Sequence, residues 1–195
     1  MNQFRTRTMY IVQAAVISAL YVVLTYIAAG FDLASGAIQV RFSECLTIMP
    51  FFTNAAVPGV TLGCLLANII TGSPAPDVIF GTLATFLGAM GTHFLRKNRY
   101  LCCIPPVIAN ALIIPFVLKY AYGFDGGFTL FGIEISTLPA FALTVGAGEI
   151  ITCVIFGQIL ITALMPVRHL LFGVDEQVKK TDKADYNKRS IGNIY

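Results

Sequence analysis

Charge is scarce in this 195-residue chain: only 12% of residues are Asp, Glu, Lys or Arg, about half the ~25% of an ordinary soluble domain. A water-facing surface cannot be assembled from so little. Several catalytic signatures are missing as well. There is no GxxxxGK[ST], which excludes nucleotide hydrolysis through a P-loop. There is no HExxH and no GxSxG, which removes the usual zinc-protease and serine-hydrolase arrangements. Cys45, Cys64, Cys102, Cys103 and Cys153 make an odd set without a CxxC, and no histidine accompanies them at zinc-ligand spacing. They read as small buried hydrophobes rather than as a disulfide framework or a metal site.

What is present is apolar. Hydrophobic residues make up 56% of the chain, and the mean hydropathy is +0.77. At about 20 residues per transmembrane helix, there is room for no more than about seven spans. The class is an all-α integral membrane protein; a soluble enzyme, a nucleic-acid module and a disordered chain are excluded. The net charge of +3 is unevenly spread. Arg5 and Arg7 precede the first apolar run, Arg96, Lys97 and Arg99 share one loop, and Arg168, Lys179, Lys180, Lys183, Lys188 and Arg189 lie near the C-terminus. Only Arg41 and Lys119 fall elsewhere. This is the pattern of the positive-inside rule, not the single basic face that nucleic acid requires.

Span counting follows from runs, breakers and parity. Residues 9–29 carry no charge and form an uncleaved first helix with a cytoplasmic N-terminus. From Cys45 to Pro76 there is again no charge, but Asn54, Pro58 and Gly59 interrupt the run and predict two short helices, 41–53 and 55–71. With two helices the Arg96–Arg99 loop is cytoplasmic; with one it would lie outside, against the charge bias. A fourth span covers 78–95 after the breaker run Gly72-Ser73-Pro74-Ala75-Pro76, and a fifth covers 101–120, kinked by Pro105, Pro106 and Pro115. The Gly-rich loop 123–136 with Asp125 and Glu134 is external, and the sixth span covers 138–164. Six helices with both termini cytoplasmic result. Residues 1–173 form a six-helix transmembrane domain and 174–195 a polar cytoplasmic tail. No internal repeat supports an inverted-repeat transporter.

Intramembrane polar residues are costly, so their positions are informative. Arg41 and Glu44 are three apart and share a helical face, where they can pair with each other. Glu149 lies well inside the sixth run without a basic neighbour in sequence, and Gln158 lies about two and a half turns beyond it. Asn68 and Asn110 occupy the third and fifth spans, either as ligand contacts or as glue between helices. The topology puts Arg41, Glu44, Asp77, Glu149 and Asn68 toward the outer face and Asn110 nearer mid-membrane. Such a group opening outward suits a polar, hydrogen-bonding solute, cationic ones included. Phe51, Phe52 and Phe80 are candidates to stack on a planar ring, and His93 reads as interfacial. On the first helix, Ala15 and Ala19 form a small-xxx-small pair that lets another helix approach.

The block Gln39-Val40-Arg41-Phe42-Ser43-Glu44-Cys45-Leu46-Thr47 followed by Pro50-Phe51-Phe52-Thr53 resembles the queuosine-precursor transporter family called QueT. Gly63–Asn68, Asp77–Gly81, Asn110–Ile113 and the Gly146–Gly157 stretch add to the likeness, which covers roughly residues 10–165. The resemblance implies a six-helix substrate-binding component (S-component) of an energy-coupling factor (ECF) importer, in the cell membrane. It implies assembly with a transmembrane coupling subunit (EcfT) and two cytosolic ATPases, so that the chain itself is no enzyme and carries no cofactor. Ala15 and Ala19 match the alanine motif where the first helix meets the coupling subunit. The implied solute is a 7-deazaguanine, such as a pre-queuosine base or queuine. Glu149 would accept the ring N–H donors, Glu44 or Asp77 would neutralise a cationic aminomethyl arm, Asn68 and Asn110 would satisfy the remaining ring atoms, and Arg41 would hold Glu44. Two rival classes are an autonomous proton- or cation-coupled transporter with Glu149 as the coupling group, and a membrane enzyme using Glu44, Asp77 and Glu149.

Overall fold

The computed structural model describes residues 2–30, 41–123, 127–130 and 133–172. The tail 174–195, Asp125, and the side chains of Arg5 and Glu134 lie outside the described residues. In chain order come α1 (Asn2–Gly30), a 3-10 helix (Phe42–Phe51), α2 (Ala56–Ile70), α3 (Ala75–Leu95) and α4 (Ile104–Tyr120). Strands β1 (Phe128–Leu130) and β2 (Ile133–Ile135) follow, then α5 (Thr137–Glu149), a π-helix (Ile150–Phe156), α6 (Gly157–Leu164) and α7 (Arg168–Phe172).

Among the described residues, four helical stretches are long and apolar enough to cross a bilayer: Arg7–Gly30, Ala75–Leu95, Leu101–Tyr120 and Thr137–Phe172. The chain is a multi-pass membrane protein. Their outward faces carry large apolar side chains, for example Ile79, Leu83, Leu87 and Phe94 on α3 and Ile108, Leu112 and Phe116 on α4. The two short helices expected over 41–53 and 55–71 are present as helical segments, but neither reaches the ~30 Å of a full span. α2 has 15 residues, and the segment before it is a 3-10 helix of 10 residues. Seven residues of that 3-10 helix are buried: Ser43, Glu44, Leu46, Thr47, Ile48, Met49 and Pro50. Pro50 supplies no N–H donor, and the Thr47 hydroxyl bonds the Glu44 carbonyl at 2.6 Å, a local bond that competes with the α-helical ladder. The segment is a core element packed against α1, α2, α3 and the π-helix, not a lipid-facing crossing.

Close helix contacts are made by glycines. α2 carries Gly59 and Gly63 four residues apart, a GxxxG face. A Cβ on Gly63 would come within 2.6 Å of the Tyr21 Cβ, and one on Gly59 within 2.9 Å of the Ala14 carbonyl oxygen. α3 meets α4 in the same manner: a Cβ on Gly88 would lie 2.7 Å from the Pro106 Cα. Pro105 and Pro106 occupy the first positions of α4, and only Pro115 lies in its interior. The first two therefore start the helix instead of kinking it, because first-turn N–H groups have no intrahelical acceptor to lose.

Two further differences from the sequence expectation are local. The hairpin β1–β2 pairs Phe128 with Ile135 and Leu130 with Ile133, a small exception to the all-α reading; Phe128, Thr129, Ile133 and Ile135 are good β-formers, and two residues join the strands. The last helical stretch runs on to Phe172 and is interrupted by seven residues of π-helix directly after Glu149.

Candidate functional site

Glu44 lies on the 3-10 helix and is 1% exposed. Its Oε1 accepts the hydroxyl of Tyr21, from α1, and that of Thr85, from α3, at 3.3 Å. Its Oε2 is buried with no hydrogen-bond partner. Arg41 stands just before this helix in extended backbone, at φ −95° and ψ 97°. Its guanidinium reaches Asp77 Oδ2 at 3.4 Å. Arg41 therefore does not hold Glu44; Tyr21 and Thr85 do, because the extended backbone at Arg41 takes it out of the helical register that would have paired the two.

Asp77 sits in the first turn of α3, where the helix dipole favours a carboxylate. The Tyr122 hydroxyl donates to its Oδ2 at 2.9 Å, and Asn68 Nδ2 donates to its carbonyl oxygen at 3.3 Å. Burial, followed by the Asp77 carboxylate, pushes the Tyr122 phenol above its ordinary value. Gly81 leaves room for this group, since a Cβ there would meet Asp77 Oδ1 at 3.1 Å and Asn68 Nδ2 at 3.2 Å.

Glu149 closes α5 and is 7% exposed. The Cys153 thiol, one turn on, donates to its Oε2 at 3.1 Å and also lies 3.4 Å from the Glu44 carbonyl oxygen. Asn110 of α4 lies beside both carboxylates, and its Nδ2 is buried without a partner. Between these elements a small, partly open cavity is lined by Arg41, Asn110, Ile114, Val145 and Glu149. It is narrow, scarcely wider than one water requires, so a larger solute enters only as the surrounding elements part.

All six polar residues expected at the site thus converge. Arg41, Asn110 and Glu149 line the cavity, Glu44 backs it, Asp77 pairs with Arg41, and Asn68 braces Asp77. Sequence reasoning missed Tyr21, Thr85, Tyr122 and Cys153. For Cys153 the signal existed, because it stands four residues after Glu149 and so on the same helical face; Tyr21, Thr85 and Tyr122 come from distant segments with no local cue. The aromatic candidates lie elsewhere: Phe52 stacks on Phe172 with centroids 5.2 Å apart, and Phe80 is exposed. Ala15 and Ala19 are exposed on α1, while Ile17, Ser18 and Tyr21 turn inward.

Apolar helices surrounding a buried set of carboxylates and amides define a multi-pass membrane protein with a polar interior site. The chain belongs to the QueT transporter family, whose sequence model matches residues 11–166. It is 36% identical over 83 residues to the queuosine precursor transporter QueT of Lactococcus lactis subsp. cremoris, a match that covers 43% of this chain and 48% of the relative. The chain therefore matches about half the length of that curated relative. No solved structure matches the chain.

Proposed function

We propose that the chain is the substrate-binding component of an energy-coupling factor importer that takes up a 7-deazaguanine queuosine precursor. The observation that carries this reading is Glu149: a buried carboxylate that lines the cavity beside Asn110, in a chain of the QueT transporter family. One carboxylate can accept together the two adjacent N–H donors of a guanine-like edge, a charge-assisted pair of the strong kind. The Asn110 amide nitrogen, which lacks a partner, suits the ring carbonyl, while Asn68 supports Asp77 rather than the ligand. With no P-loop in the sequence, energy would come from two partner ATPases through the coupling subunit, and no cofactor is needed in this chain. The exposed Ala15–Ala19 stripe of α1 is the surface for that subunit, with both termini cytoplasmic.

Equilibrium binding of a deazaguanine panel, with guanine, riboflavin and thiamine, to the purified chain in detergent tests this reading. Submicromolar binding of one deazaguanine, lost in Glu149→Gln, is the expected result. Failure of every deazaguanine to bind would overturn it. Gradient-driven uptake by vesicles holding this chain alone would move the function to an autonomous transporter.

A further inference from the structure

Among the described residues the site holds Arg41 against three carboxylates, Asp77, Glu44 and Glu149. Arg41 is engaged by Asp77, whose Oδ2 also accepts from Tyr122, so the Asp77 charge is answered even though its Oδ1 stays buried without a partner. Among the described residues Glu44 and Glu149 form no ion pair, and Arg41 acts on both only at longer range. A charged carboxylate buried in an apolar bundle is costly unless it takes up a proton or is met by hydrogen-bond donors or positive charge. Glu44 is also held in a particular way. Tyr21 and Thr85 fix one oxygen and leave the other buried and unpartnered; Glu44 stands behind the cavity wall, beside Asn110, which lines the cavity together with Glu149.

We infer that Glu44, oriented by Tyr21, is the receptor for a positively charged substituent, so that the site selects a cationic ligand over an uncharged one of the same ring. This inference rests on the proposed deazaguanine reading and deepens it. It also separates two carboxylates that sequence left equivalent as partners for a cation: each keeps one buried oxygen without a hydrogen-bond partner, but Asp77 is already paired with Arg41 whereas Glu44 forms no ion pair. Glu149 and Glu44 then divide the ligand, Glu149 taking neutral N–H donors and Glu44 an ammonium group. Tyr21 acts as a positioning residue, for it touches Glu44 and not the cavity.

The test compares two ligands that share one ring, a deazaguanine bearing an aminomethyl group and one bearing a nitrile, on the full chain in detergent. The ammonium-bearing ligand is expected to bind at least ~10-fold more tightly, in keeping with close charge pairs at interfaces. In Glu44→Gln the ratio of the two affinities falls to near unity. Tyr21→Phe, a smaller change that keeps the ring packed, lowers the same ratio part of the way. A merely structural role for either residue would weaken both ligands together and leave the ratio unchanged. Equal affinities on the unmodified chain, or a ratio untouched by both substitutions, would overturn the inference while the deazaguanine reading stands. Failure of both ligands to bind would instead remove the reading on which it rests.

Discussion

The guanidinium of Arg41 reaches the Asp77 carboxylate at 3.4 Å and ties the chain entering the 3-10 helix to the first turn of α3. Asp77 is 1% exposed, whereas a quarter of the Arg41 side chain meets solvent or lipid. The bond therefore closes one side of the cavity that Arg41 lines, and it does so through a residue that itself stands partly outside the core.

Arg41→Ala strands the Asp77 charge. Its expected cost is about 1–3 kcal/mol, below the ~3–5 kcal/mol of a fully buried pair because Arg41 is partly exposed. Adding Asp77→Asn should recover part of that loss. Thermal unfolding of the single and double variants in detergent measures it, and strictly additive costs would show that the two side chains do not interact.

Gly63→Ala pushes α2 away from α1, since the new methyl would meet the Tyr21 Cβ at 2.6 Å and the Ser18 carbonyl oxygen at 3.0 Å. Overpacking of this kind costs about 1–3 kcal/mol. Because Tyr21 is the residue displaced, ligand affinity should fall with the melting temperature. Wild-type affinity in a variant of lowered stability would separate helix packing from the site.

Cys153 donates its thiol to Glu149. Cys153→Ala removes the donor and is expected to weaken ligand binding by about 2–10-fold, the worth of one hydrogen bond. Cys153→Ser restores a donor at nearly the same place and should bind close to wild type. Equal losses in both variants, read by calorimetry, would assign the effect to volume instead of hydrogen bonding.

Tyr122→Phe deletes the 2.9 Å bond to Asp77, at about 1 kcal/mol. The Tyr122 phenol is raised in the folded protein, so the protonated form is the one that folding favours. Its stabilisation is complete below the ordinary phenol value near 10 and disappears as pH climbs through the raised value. The difference between wild type and Tyr122→Phe should therefore be constant at neutral pH and shrink only in strong alkali. A difference that grows with pH would contradict this.

Much of the site was legible because polar groups in a bilayer have few places to go. Arg41, Glu44, Asn68, Asp77, Asn110 and Glu149 are costly facing lipid, and the fold gathers them. Their pairing was not legible. Helical spacing joins Arg41 to Glu44 only if both belong to one helix, and the extended backbone at Arg41 breaks that premise. Nor could apolar length distinguish a lipid-facing span from the buried 3-10 helix, since both look equally hydrophobic in sequence. The proline pair Pro105–Pro106 carries a similar ambiguity, as the same residues kink a helix in its interior and open it at its start.

Glu149 and Gln158 are nine residues apart, which in an uninterrupted α-helix of 3.6 residues per turn places them on opposite sides. Here both face inward. Glu149 lines the cavity, and Gln158 Nε2 donates to the Arg99 carbonyl oxygen. The π-helix over Ile150–Phe156 makes this possible, because i→i+5 bonding winds less per residue. The number of residues between the two is thus as much a determinant as their identity. Deleting Ile155 would let the segment wind as an ordinary α-helix and still keep both side chains on one side, since eight residues turn only about 80° past two full turns, whereas a one-residue insertion into the π-helix would turn one end toward lipid.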